Sequence, residues 1–112
     1  MFMFNDTERI LCMTLKLRKE IFNKLIDGTK KSTSRLGERD VAVGNPIVFE
    51  MTEDVNVKYN TTVTEVFSLP FSELTEEEAK LEGYDSLKDL KSVLTKLYNP
   101  KENDIFTIIH FS

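Results

Sequence analysis

Residues 55–67 place Val55, Val57, Tyr59 and Val63 at alternate positions, the periodicity of one long half-buried strand. Its surroundings are also strand-like. Gly44-Asn45-Pro46 is a turn signal, and Ile47 to Met51 follow it as a strand. The run DIFTIIHF is rich in β-branched and aromatic residues and reads as a centrally paired strand, and residues 10–15, ILCMTL, form a shorter apolar run of the same kind. Helical signals are fewer. Ile21, Phe22, Leu25 and Ile26 recur at one-face helical spacing, with Gly28 where a C-cap glycine belongs. Thr75-Glu76-Glu77-Glu78 is a capping box, in which the Thr75 hydroxyl accepts from the third backbone N–H and Glu78 reaches back. Its glutamates also suit the helix macrodipole. Gly83 ends that helix. A second begins near Ser86, carries Leu87, Leu90, Val93, Leu94 and Leu97 as a stripe, and stops at Asn99-Pro100. The order of strand, helix, several strands, two helices and strand predicts an α+β domain on a small curved sheet or β-barrel with flanking helices.

The length of 112 residues allows one domain over 1–112 with a single core rather than two, residues 1–9 being read as a peripheral N-terminal extension. Hydrophobic content of 40% and charged content of 30% fit an ordinary soluble chain. No apolar run is long enough to span a bilayer, and MFMFNDTERI lacks the basic flank and cleavage site of a signal peptide. Cys12, the single cysteine, has no internal disulfide partner, and its neighbours Leu11 and Met13 suggest a buried strand position. A reducing, cytoplasmic setting follows as the expectation. A net charge of −4 argues against coating long nucleic acid. Yet residues 16–39 hold eight basic side chains against three acidic ones. That basic face on an acidic body suits one phosphate or a short strand, although Lys16, Lys19 and Lys24 also read as ordinary solvating charge on a helical surface.

Metal catalysis is not expected, because His110 and Cys12 are single residues far apart in sequence and no pair has ligand spacing. His110 reads as a half-buried or edge side chain. The scattered glycines form no phosphate loop, and no cofactor is expected. Hydroxyl–lysine chemistry is left. Residues 28–35, GTKKSTSR, contain nothing apolar and taken alone read as a solvated turn. Lys30 lies three positions before Thr33, with Lys31 and Arg35 as cationic neighbours. Nearby cations and desolvation lower a lysine pKa, and the neutral amine can then take a proton from a hydroxyl. Such chemistry also needs a carboxylate to orient the amine or pass protons to a leaving group.

Gly28, Lys30, Thr33 and Arg35 form a G-x-K-x-x-T-x-R pattern that resembles the signature of the ASCH domain family, which is similar in fold to PUA RNA-binding domains. The resemblance spans residues 10–111. Val43-Gly44-Asn45 is similar to the family's V-G-D turn, and FSELTEEEAKLEGYDSLKDLKSVLTKLY to its L-T-x-E-x-A helix, leucine-striped helix and closing tyrosine. IFTIIHF resembles its last strand. One bacterial subgroup of similar length removes the acetyl group from N(4)-acetylcytidine with a lysine, a threonine and a glutamate. The resemblance implies Lys30 as base, Thr33 as nucleophile and Glu82 as the carboxylate. It also implies Arg35 and Lys31 at the substrate, Tyr98 lining the pocket, and Gly83 shaping the backbone beside Glu82. Here the chain departs from the family, whose lysine is followed by interleaved apolar residues; Lys31, Ser32 and Ser34 are polar. Lys31 and Ser34 therefore offer a competing register with the same spacing, while Gly28 and Arg35 anchor the Lys30–Thr33 alignment. Glu76, Glu77 and Glu78 read as a capped, charged first turn, whereas Glu82 lies at the helix end, where the dipole disfavours an anion and calls for a cation such as Lys30. Two functions are compatible with this pattern: a metal-independent amidohydrolase acting on a small nucleoside, or a non-catalytic module that binds RNA or a nucleotide.

Overall fold

A computed structural model describes residues 13–112. The expectations for residues 1–9, for the start of the ILCMTL run and for Cys12 lie outside the described residues. The elements in order are β1 (Met13–Leu17), α1 (Lys19–Ile26), β2 (Ser32–Leu36), β3 (Pro46–Met51) and β4 (Asp54–Pro70). After a 3-10 turn at Phe71–Glu73 come α2 (Glu76–Leu81), α3 (Leu87–Tyr98) and β5 (Ile105–Phe111).

The strands form one α+β sheet in the order β1-β3-β4-β5-β2, parallel between β1 and β3 and antiparallel elsewhere. The sheet curls into a half-barrel. Strand β4 explains the curl. Residues 54–62 pair with β3, residues 63–70 pair with β5, and a bulge between Val63 and Glu65 bends the strand where it changes partner. Both faces of the sheet are then covered. Phe22 and Leu25 of α1 pack with Ile47, Phe49, Val63, Ile109 and Phe111, while Leu90 and Leu94 of α3 pack with Ala79, Phe106 and Ile108. The single core expected from length is thus two clusters divided by the sheet, and alternate residues of β5 belong to each.

Some apolar positions depart from the expected faces. Val55 and Val57 are 48% and 37% exposed, because the start of β4 is the arm of a hairpin turning at Thr52-Glu53, away from both clusters. Ile26 and Leu97, at the ends of their helices, are also exposed. The Thr75 cap is present, with its hydroxyl accepting from Glu78 N–H at 3.1 Å. Glu78 does not complete the capping box, since its side chain lies against β5 and meets His110. The polar stretch at 28–35 divides into a turn and the first residues of β2. Ser32, Thr33 and Ser34 are at most 1% exposed, so the solvated turn ends before them.

Candidate active site

Strand β2 alternates its side chains about a polar floor. Ser32 and Ser34 face α2, where each meets a carboxylate, whereas Thr33 and Arg35 share the other face. The chain entering β2 is tied to α2 by Lys31 N–H donating to Leu81 O at 2.6 Å. This places Lys30 against the C-terminal end of α2, whose cap is Glu82. Both side chains are buried, at 4% exposure. Lys30 Nζ donates to Ser32 O at 2.7 Å and Glu82 O at 3.3 Å, and lies 3.9 Å from Glu82 Oε1. The other carboxylate oxygen, Oε2, accepts from Ser34 Oγ. Arg35 Nη1 donates to Thr33 Oγ1 at 2.8 Å and to Ser34 O at 2.9 Å.

The glycine after Glu82 makes this closure possible. Gly83 has φ of +96°, and a β-carbon there would stand 3.0 Å from Lys24 Cδ and 3.6 Å from Lys30 Cβ. Lys24 Nζ also donates to the Gly83 carbonyl. The backbone leaving α2 therefore packs directly on two lysine stems.

Burial sets the electrostatics. Desolvation lowers the Lys30 pKa to about 8, with Arg35 and Lys24 adding to the fall and Glu82 opposing it. Desolvation likewise raises Glu82, against the pull of Lys30, the Ser34 hydrogen bond and Arg35; Glu78 pushes it further up. The two shifts bring proton donor and acceptor toward a common range. The hydrogen bonding agrees with this. A neutral amine has two hydrogens for the two carbonyls and one free lone pair, while the ammonium's third hydrogen is available to Glu82.

These groups lie in a cleft of about 630 Å³ lined by Lys30, Thr33, Ser34, Arg35, Glu82 and Tyr98. Tyr84 is also in the lining, its pKa raised by burial and by Glu82. Leu17 and Ile21 on one side and Val93 and Leu97 on the other make an apolar wall, and Lys16, Arg18 and Lys96 add positive charge to the lining. Exposed Leu97 thus belongs to this wall. Lys31 is not in the lining and its side chain is exposed; its backbone serves α2 and β5 instead. Ser34, not Lys31, joins Lys30 and Glu82. The alternation of Ser32 and Ser34 was available as a sequence signal for this, but it is visible only once the stretch is read as a strand.

No family model and no curated relative matches the sequence. Solved structures do. An ASCH domain from Lactobacillus crispatus superposes with a TM-score of 0.73 at 15% identity, covering 89% of this chain and 79% of that one. The fold is that of ASCH domains. A DUF984 protein from Enterococcus faecalis aligns with a TM-score of 0.71 at 13% identity, over 93% of this chain and 81% of that chain. The Zymomonas mobilis ASCH structure gives 0.70 at 12% identity, with 90% and 66% covered. The ASCH fold therefore persists here with little sequence in common, which leaves the chemistry to be argued from this chain's own residues.

Proposed function

We propose that this ASCH-fold chain is a metal-independent amidohydrolase that removes the acyl group from N(4)-acetylcytidine or a related acylated cytosine compound. The observation that carries the reading is a buried lysine with a lowered pKa, ion-paired to a buried glutamate, on the floor of a cleft lined by two buried hydroxyls. Thr33 Oγ1, which bonds Arg35 rather than Lys30 before substrate enters, adds to the amide carbonyl as Lys30, in the same cleft lining, takes its proton. The tetrahedral intermediate collapses, and the exocyclic nitrogen leaves with a proton returned through Lys30 and Glu82. Cytidine departs at that step; water then cleaves the Thr33 ester, giving the free acid and restoring the Thr33 hydroxyl. Arg35, already bonded to Thr33 Oγ1, is placed to favour negative charge on that oxygen and its neighbours. Tyr84 and Tyr98 offer rings to the base, and the apolar wall shelters the reaction from water.

A second reading is favoured by Lys16, Arg18 and Lys96 in the lining: a non-catalytic site for a nucleotide or short RNA, held by phosphate contacts. Incubation with N(4)-acetylcytidine in the presence of a chelator separates the two. Release of cytidine and acetate, lost in Thr33→Ala and Lys30→Ala, supports the hydrolase. An inert wild-type protein that binds oligonucleotides in a salt-sensitive way overturns it in favour of binding.

A further inference from the structure

A second polar cluster lies beside the first and is linked to it through one serine. Ser32 sits directly opposite His110 in the β2–β5 register. Its carbonyl holds the Lys30 amine, and its hydroxyl is 3.5 Å from Glu78 Oε1. His110 Nε2 lies 3.0 and 3.2 Å from the two Glu78 oxygens, and Nδ1 lies 3.2 Å from Glu65 Oε1. A neutral imidazole carries one N–H and can donate to only one of these carboxylates; the imidazolium donates to both. Phe67 packs edge-on at 5.4 Å and helps fix the ring in that plane.

Glu78 precedes Glu82 by one helical turn, and Glu82 N–H donates to Glu78 O at 3.0 Å. We propose that His110 acts through Glu78 as a positioning residue, holding α2 on the sheet and offsetting the Glu78 charge so that Glu82 stays ionised beside Lys30. This rests on the hydrolase reading for its catalytic consequence but not for its electrostatic one. Around Glu82 the charged and titratable groups are Lys30, Arg35, Tyr84 and Glu78, and of these Glu78 alone pushes the carboxyl toward its neutral form by negative charge. Around His110 they are Glu65 from β4 and Glu78 from α2. Removing His110 takes away the group that Glu78 is paired with and favours a protonated Glu82. Removing the Glu78 charge does the reverse.

The opposed signs give a test that a purely structural contact would not pass. The Glu82 carboxyl carbon, assigned by its loss in Glu82→Gln, is titrated by NMR in the wild type and in variants. His110→Gln should raise its midpoint, Glu78→Gln should lower it, and the double variant should return close to the wild-type value. Identical midpoints in all of them, with only Tm reduced, would overturn the proposal. If His110→Gln fails to fold, Glu78→Gln decides: a lowered midpoint supports the coupling and an unchanged one overturns it. Shifted midpoints in a protein that hydrolyses nothing would defeat the hydrolase reading and leave the coupling intact.

Discussion

Strands β2 and β4 invert the usual relation between polarity and burial. Ser32, Thr33 and Ser34 are almost wholly buried, while Val55 and Val57 stand in solvent. The apolar residues are exposed because their hairpin projects past the covered part of the sheet, and isolated exposed valines are an ordinary feature of surfaces. The buried hydroxyls have no such excuse. Each has a hydrogen-bond partner in Glu78, Glu82 or Arg35, and a buried hydroxyl left without one would cost about 1–3 kcal/mol. The difference teaches that β2 is packed for its polar contacts and the start of β4 for its backbone pairing.

The largest effect expected from breaking this contrast is at Lys30. Lys30→Met should reduce kcat by about 10³-fold or more and lower Tm, since it strands Glu82 in a dry site. Adding Glu82→Gln should recover much of the Tm and none of the turnover, as read by thermal melts and cytidine release. Thr33→Ala and Ser34→Ala sharpen the comparison within β2. If Thr33 is the nucleophile, its loss should abolish burst-phase acyl-enzyme and nearly all turnover, whereas Ser34→Ala should cost about 10–100-fold by loosening Glu82. Retained turnover in Thr33→Ala with none in Ser34→Ala would transfer the role to Ser34.

A pH profile probes the same buried amine. On the hydrolase reading the free base is the active form, so kcat should rise roughly tenfold per pH unit at lower pH and level off above about 8, the value to which burial brings Lys30. A profile flat across that range would remove Lys30 as the base. Gly83→Ala should destabilise by about 1–3 kcal/mol in denaturant unfolding, from the positive φ and the contact with the Lys24 stem. Val55→Thr should be the mildest, within about 0.5 kcal/mol.

Much of the fold was legible because its signals are local. The alternation in β4, the Thr75 and Ser86 caps, Gly83 after α2 and Asn99 at φ of 50° closing α3 each act within a few residues. What periodicity could not show was which apolar faces the tertiary structure would cover, hence the exposed Val55, Val57, Ile26 and Leu97. The approach of Lys30 and Glu82 was anticipated from a family resemblance together with the dipole at the end of α2. Ser34 was visible only as half of a rival register, because a hydroxyl's partner 48 residues away leaves no mark on local sequence. Glu78 was read as a charged first turn for the same reason: its contact with His110 belongs to the packing of α2 on β5.

The place of β5 in the sheet has a consequence for how the chain is made. Strand β5 lies between β4 and β2, and β2 has no other strand partner among the described residues. A nascent chain that has reached residue 104 therefore holds an unpaired β2 and a β4 paired along only half its length. Native pairing of β2 must wait for β5 to emerge, which makes the growing chain dependent on long-range closure and exposes its edges until then.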